Sequence, residues 1–174
     1  MATAYLSLGS NIGDRHRLLQ EAVVRLSMEA GAITALSSFY ETAPVGFESS
    51  HTFINIAIAL DTTLSPQVLL AVTQHIEKEL GRGHKSIDGI YHDRTIDIDL
   101  LIMGDYIVDT PQLTLPHPRM LERQFVLEPL HEIAPDLVHP SSHRTIAELW
   151  HDYQRNLSQE ACTSRNVPLS GNTL

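Results

Sequence analysis

The chain holds a single cysteine, Cys162, among its 174 residues. It cannot close a bridge within the chain, and its polar C-terminal surroundings make it a poor metal ligand or buried nucleophile. Basic residues are scarce as well: 12 Lys and Arg face 21 Asp and Glu, a formal charge of −9. Binding to nucleic acid rests on many Lys and Arg contacts to phosphate, so that partner is not expected. No stretch approaches 18 uninterrupted apolar residues, and residues 1–15 carry no basic leader ahead of an apolar run. We therefore expect no membrane partner and a cytoplasmic location. With 43% hydrophobic and 19% charged residues the composition is that of a globular chain, not a disordered, collagen-like or coiled-coil one. At this length one domain is expected, hiding roughly 70% of the unfolded surface.

Familiar motifs are missing too. Gly81-Arg82-Gly83-His84-Lys85-Ser86 hints at a phosphate-binding loop, but Glu79 and His84 stand where that motif needs glycine, and a helix rather than a strand precedes it. No G-x-G-x-x-G, G-x-S-x-G or H-E-x-x-H occurs. Of the ten histidines, His139 and His143 have a helical spacing, yet Pro140 between them speaks against a shared helix, and most of the histidines are read as surface residues.

What is present is periodicity. Residues 2–9 read as a strand ending at Gly9-Ser10-Asn11, and 13–30 as an amphipathic helix closed by Gly31. A second strand is expected over 33–40, an irregular loop over 41–50, and a strand over 53–60. In that last strand Ile54, Ile56, Ile58 and Leu60 alternate with Phe53, Asn55, Ala57 and Ala59. Pro66 opens a helix over 65–80 whose Leu69, Val72, Ile76 and Leu80 form a stripe. After a loop over 81–93 the chain returns to period two at 95–103, with a short strand pairing back at 106–108. A helix broken by Pro129 is expected over 120–130 and a last helix over 145–153. Strand, helix, strand, strand, helix, strand is the order of an α+β fold: a ferredoxin-like split βαβ antiparallel sheet with helices packed on one face, the other face left for ligands or further elements. The domain is expected to span 1–153, with 154–174 a flexible C-terminal tail rich in Ser, Asn and Gly.

Alternation in Thr95-Ile96-Asp97-Ile98-Asp99-Leu100 sends both aspartates to one face, their Cα atoms roughly 6.5 to 7 Å apart. Bare, each charge disfavours ionisation of the other. A divalent cation removes that cost, and oxygen ligands that leave room for water and phosphate suit Mg²⁺. Arg82, Lys85 and Arg94 lie in or at the end of the loop leading to the pair, and Arg119 and Arg123 follow it. Their planar or point charges suit phosphate oxygens. Phe53 and Asn55 offer a stacking surface and an amide with donor and acceptor, the needs of a flat nitrogen heterocycle.

Gly9-Ser10-Asn11-Ile12-Gly13-Asp14-Arg15 and Arg94-Thr95-Ile96-Asp97-Ile98-Asp99-Leu100 resemble the two signatures of the 6-hydroxymethyl-7,8-dihydropterin pyrophosphokinase family of folate biosynthesis. The likeness extends, in order, through 38–46, Phe53-Ile54-Asn55, Gln74 with Glu77, Gly81-Arg82, Leu115-Pro116-His117 and Glu132-Ile133-Ala134-Pro135, covering about residues 3–150. It implies transfer of the β,γ-pyrophosphoryl group of ATP to the hydroxymethyl oxygen of a reduced pterin, with release of AMP. Asp97 and Asp99 match paired Mg²⁺ ligands for two ions, and Arg82 and Arg94 match loop arginines that neutralise transferring charge. Thr42, Pro44, Val45, Phe53, Asn55 and Phe125 match the pterin pocket. Gln74, Glu77, Leu100, Thr114, His117 and Arg123 match nucleotide positions, and a monomer is expected. Departures fall at His84, His92-Asp93, Gln112 and Pro118, where the family commonly has Arg, Gly-Pro, Arg and Tyr. Apart from the likeness, two readings stay open: a ferredoxin-like binding module with a structural metal, and another Mg²⁺-dependent phosphohydrolase or nucleotidyltransferase.

Overall fold

Strand β4, Phe53–Thr62, is buried along most of its length on both faces, which requires a central place in a sheet covered twice. The computed structural model describes residues 1–42, 52–81 and 96–165 and shows that arrangement. Strand β1, Ala2–Ser10, pairs with β4 on one side and with β5, Asp97–Met103, on the other. Strands β2, Ala32–Leu36, and β3, Tyr40–Thr42, share the outer side of β4. The order β2-β4-β1-β5, antiparallel throughout, is the expected split βαβ sheet.

Helix α1, Arg15–Glu29, starts where the Asp14 side chain accepts the amide of Arg17 at 3.2 Å. It buries Leu19, Ala22 and Leu26. Its exit passes so close to β4 that a Cβ on Gly31 would sit 2.1 Å from the Asp61 carbonyl oxygen, at a φ of +153°. Helix α2, Pro66–Glu79, has Ser65 as its N-cap and Pro66 in its first turn, and it buries Leu69, Thr73 and Ile76. Both helices cover the face formed by Ala4, Leu6 and Leu8, by Ile54, Ile56, Ile58 and Leu60, and by Ile98 and Leu100.

The opposite face is partly covered by a second apolar cluster. Ala57, Leu101 and Ile102 of the sheet meet Met120, Val126, Leu130, Ala134 and Ile146. These come from a 3-10 turn at Met120–Glu122, helix α3 at Gln124–Ile133, the segment after it, and helix α4 at Ile146–Arg165. The further elements therefore take one part of that face.

Several expected boundaries move. The strand expected over 33–40 is two strands, because at Ser37 the main-chain amide still donates to the Ala57 carbonyl at 2.9 Å but the hydroxyl, in place of the main-chain carbonyl, accepts the Ala57 amide at 2.9 Å. Strand β3 then recruits Glu41 and Thr42 from the expected loop. Period two in β5 holds only to Leu100: the register shifts opposite Tyr5 and Leu6, so Leu101 and Ile102 both join the second cluster while Met103 joins the first. Residues 106–108 do not return to β5. Instead β6, Val108–Asp109, pairs with β7, Thr114–Leu115. The break in the 120–130 helix falls at Arg123, whose backbone is extended, and Pro129 lies inside α3, where burial of Val126, Leu127 and Leu130 offsets the lost bond. Helix α4 runs past Tyr153 to Arg165, beyond the end expected for it. Among the described residues no helix is long and apolar enough to cross a membrane.

Candidate active site

Pairing register carries the polar residues into one row. Tyr40 of β3 stands opposite Asn55 of β4, Asn55 opposite Gly9 of β1, and Gly9 opposite Asp97 of β5. The next row holds Ala57, Ser7 and Asp99. Cross-strand partners share a face, so Asn55, Asp97 and Asp99 all lie on the face away from α1 and α2; Asn55 and Asp97 occupy the row beyond the second cluster, and Asp99 lies on β5 level with Ala57 of that cluster. Neighbouring strands are roughly 4.8 Å apart, which separates the Asn55 and Asp97 backbones by roughly 10 Å.

Gly9 makes this row possible. A Cβ there would lie 2.7 Å from Asn55 Oδ1 and 3.5 Å from a Phe53 ring carbon. The strand expectation took Gly9 only as a terminus; a glycine inside a paired strand is itself a signal of close approach. Asn55 is 3% exposed, and its Nδ2 donates to Thr42 Oγ1 at 2.8 Å. That bond orients the amide and leaves its carbonyl oxygen on the Gly9 side. Phe125, in the first turn of α3, packs against the second cluster with the Arg123 guanidinium 5.5 Å from its ring centre.

A cavity of about 230 Å³ opens at the β5 edge, lined by Ile98, Asp99, Leu100, Thr114 and His117 together with Leu70 of α2. Its rim is the turn from Thr110 to Leu113, closed by the Leu113 amide donating to Thr110 Oγ1 at 3.1 Å. Gln112 and Pro118, two departures from the family pattern, also line it. Gln74 and Glu77 follow Leu70 at helical spacing on α2, Gln74 exposed and Glu77 buried.

His117 is tied to β5 by its amide, which donates to the Leu101 carbonyl at 2.8 Å. Its Nδ1 accepts the Arg119 amide at 3.1 Å, which puts the proton of the neutral ring on Nε2. Burial above all, then the Arg123 charge, lowers its pKa against the opposing pull of Asp97. A neutral imidazole able to donate is therefore held between the aspartates and Arg123.

The structure thus brings Asp99, Leu100, Thr114 and His117 around one cavity, and Thr42, Asn55 and Asp97 along adjoining strands. Pro44, Val45, Arg82 and Arg94 lie outside the described residues. Not anticipated were the roles of Gly9, of Leu70, and of two polar clasps. In one clasp Arg15 donates to the Thr52 carbonyl and hydroxyl, each at 2.8 Å, and pairs with Glu41. In the other, Glu132 holds Ser38 and Tyr40.

Comparison with known proteins identifies the family and the fold. Residues 5–135 match the family model described as 7,8-dihydro-6-hydroxymethylpterin-pyrophosphokinase. A 2-amino-4-hydroxy-6-hydroxymethyldihydropteridine pyrophosphokinase of Porphyromonas gingivalis is 54% identical over 143 residues, covering 82% of this chain and 97% of that protein. One from Bacillus subtilis is 49% identical over 131 residues, covering 75% and 77%. A crystal structure of a Plasmodium falciparum HPPK-DHPS triple mutant superposes with a TM-score of 0.77 at 18% identity. It covers 92% of this chain, which spans only 46% of that one, and it supports the fold. Sheet, site and matches together define an ATP-dependent diphosphotransferase. The chain belongs to the 7,8-dihydro-6-hydroxymethylpterin-pyrophosphokinase family, whose reaction is pyrophosphoryl transfer in folate biosynthesis.

Proposed function

We propose that the row from Asn55 through Gly9 to Asp97 joins a pterin subsite to a Mg²⁺-triphosphate subsite, and this shared row is the observation that carries the reading. The acceptor is 6-hydroxymethyl-7,8-dihydropterin and the donor is ATP, as the relatives' names and the family's reaction support. Asn55 presents its carbonyl and its remaining N–H to the amide edge of the heterocycle, with Thr42 fixing its orientation. Phe53 and Phe125 supply stacking walls, and Pro44 and Val45 complete the pocket. Leu100, Thr114 and His117 line the nucleotide cavity, and the family resemblance assigns Gln74, Glu77 and Arg123 to the nucleotide as well.

The donor set fits Mg²⁺. Two carboxylates leave one strand on one face, and among the described residues no group of three or more His, Cys, Asp or Glu gathers to hold a metal. Remaining positions would fall to water and phosphate oxygens, as Mg²⁺ prefers. Asp97 and Asp99 would hold it, two ions being expected with ATP, and the bound metal supplies neutralisation of triphosphate charge. The hydroxymethyl oxygen attacks the β-phosphorus, the bond from that phosphorus to the oxygen bridging to the α-phosphorus breaks, AMP leaves with that oxygen, and the hydroxyl proton passes to solvent. This chain contributes position and charge: Asn55 and the ring walls fix the acceptor, the neutral His117 donates from Nε2, and Arg82, Arg94 and Arg123 offset developing charge.

The catalytic unit is taken as residues 1–153, acting as a monomer in the cytoplasm without nucleic acid or membrane partners; helix α4 continues beyond that bound to Arg165, so the tail expected from residue 154 is helical over its first part. Incubation with Mg-ATP and 6-hydroxymethyl-7,8-dihydropterin should give AMP and the pterin diphosphate. Formation of ADP or inorganic phosphate instead would refute the reading.

A further inference from the structure

Glu132 lies in the last turn of α3, outside the row and the cavity, yet it accepts from Ser38, in the segment joining β2 to β3, and from Tyr40, the first residue of β3. The Ser38 amide donates to its two carboxylate oxygens at 3.1 and 3.0 Å. The Ser38 hydroxyl donates to Oε1 at 2.7 Å and the Tyr40 hydroxyl to Oε2 at 2.6 Å. Glu132 lies 94 and 92 residues from Ser38 and Tyr40, so these bonds fasten α3 to β3 and the residues entering it.

What they fasten bears on the pterin subsite. Tyr40 is the β3 end of the row Tyr40, Asn55, Gly9, Asp97, and Thr42, two residues on, accepts the Asn55 amide. On the helix side, Phe125 precedes Glu132 by seven residues, two turns, and so lies on the same side of α3. One carboxylate therefore links the strand that orients Asn55 to the helix that carries Phe125. Glu128, one turn before Glu132, adds negative charge near Tyr40.

The protonation states suit a permanent clasp. Burial opposes ionisation of Glu132, but the hydroxyls of Tyr40 and Ser38 and the Ser38 amide outweigh it and hold its pKa below the ordinary carboxylate value. The hydrogen bond to Glu132, with some burial, pushes the Tyr40 phenol up to about 12. Donor and acceptor keep these forms across neutral pH.

We infer that Glu132 is a positioning residue for the pterin: by clasping Ser38 and Tyr40 it sets the gap between the Asn55 amide and the Phe125 ring. The inference rests on the pterin subsite proposed above. Glu132 and Ser38 are exposed and Tyr40 is half-buried, so water competes with these bonds and the expected effect is moderate.

Glu132→Ala should weaken binding of fluorescent 6-hydroxymethylpterin, titrated with a non-hydrolysable ATP analogue present, by about three- to tenfold. The KM for ATP and kcat at saturating pterin should stay within about twofold of the parent. Glu132→Gln keeps the volume and a carbonyl acceptor and should recover most of the pterin affinity, whereas Glu132→Met, which keeps the volume without an oxygen acceptor, should not; recovery by both would assign a space-filling role and overturn the inference. A folded Glu132→Ala variant with unchanged pterin affinity overturns the inference, as do ATP and pterin constants that fall together with the melting temperature. Should Glu132→Ala not fold, Tyr40→Phe removes one donor alone, and unchanged pterin affinity there overturns it equally. A parent protein that makes no pterin diphosphate would strike the reaction itself, whereas a fully active parent with an indifferent Glu132→Ala strikes only this role.

Discussion

The two faces of the sheet are built from alternate residues of the same strands and have opposite tasks. On the face under α1 and α2, β1, β4 and β5 present an unbroken aliphatic layer from Leu6, Leu8, Ile56, Ile58, Ile98 and Leu100. The other face is divided along its length. Ala57, Leu101 and Ile102 lie beneath α3 and α4, Gly9, Asn55 and Asp97 form the row nearer the other end, and Asp99 shares the Ala57 row two strands away on β5. A strand with period two can hold a core and a reaction site at once, provided the second layer covers only part of the polar side. The difference predicts that stability and chemistry separate by residue parity.

The largest effect tests the polar end. Asp97→Asn or Asp99→Asn should lower Mg²⁺-dependent turnover on the order of 10³-fold or more, as loss of several kcal/mol of charge stabilisation requires. The melting temperature should not fall, because neither side chain belongs to an apolar cluster. Near-normal rates in either variant would remove the metal assignment.

One residue beyond parity, the outcome should reverse. Ile58 is fully buried against the two crossover helices, and Ile58→Ala should cost about 2 to 5 kcal/mol of stability in a urea titration. At a temperature where the variant is folded, the KM values for both substrates should be unchanged. A selective loss of pterin affinity would blur the separation of the faces.

Gly9→Ala and Phe53→Ala sharpen the comparison within the polar end. The added methyl at residue 9 would drive against Asn55 Oδ1, and truncation at residue 53 removes a stacking surface. Each should weaken pterin binding by about 1 to 3 kcal/mol in calorimetry and leave ATP affinity in place. Equal losses for both ligands would show a shared distortion instead of a local one.

The smallest effect lies beyond the second cluster. His139 is buried, its Nδ1 accepts the Ser142 amide at 3.1 Å, and burial lowers its pKa from the ordinary value near 6.5. The unfolded chain then takes up the proton first, so stability is full above about pH 6.5 and falls as pH drops toward the depressed folded value. His139→Asn keeps an acceptor and should flatten that fall in melting curves between about pH 7 and about pH 5, without changing the pH profile of turnover. An unaltered slope would assign the acid sensitivity elsewhere.

Much of this organisation is legible in the chain. Alternation around Asp97 and Asp99 puts both on one face because isoleucines flank them, and the pairing of β1 with β5 bears that out. Leu100-Leu101-Ile102-Met103 holds no polar residue to report parity, so the register shift there leaves no trace in the sequence. Pro129 reads as a breaker, yet tertiary burial of its helix overrides that propensity. The contacts of Ser38 and Tyr40 with Glu132 span 94 and 92 residues, and no local pattern announces such a meeting. Phe53 and Asn55 were recognisable as a pair, but only the register reveals that a glycine separates them from the aspartates.

Because Asn55 and Asp97 sit on either side of β1, main-chain pairing acts as a ruler between the proposed ring-binding and phosphate-binding ends. Side-chain exchange can alter how firmly either end grips, but the measured span belongs to the strands. Acceptors whose alcohol stands farther from the ring would meet a mismatch that no single point change relieves. Broadening the enzyme toward them calls for an altered sheet register, a far rarer evolutionary event.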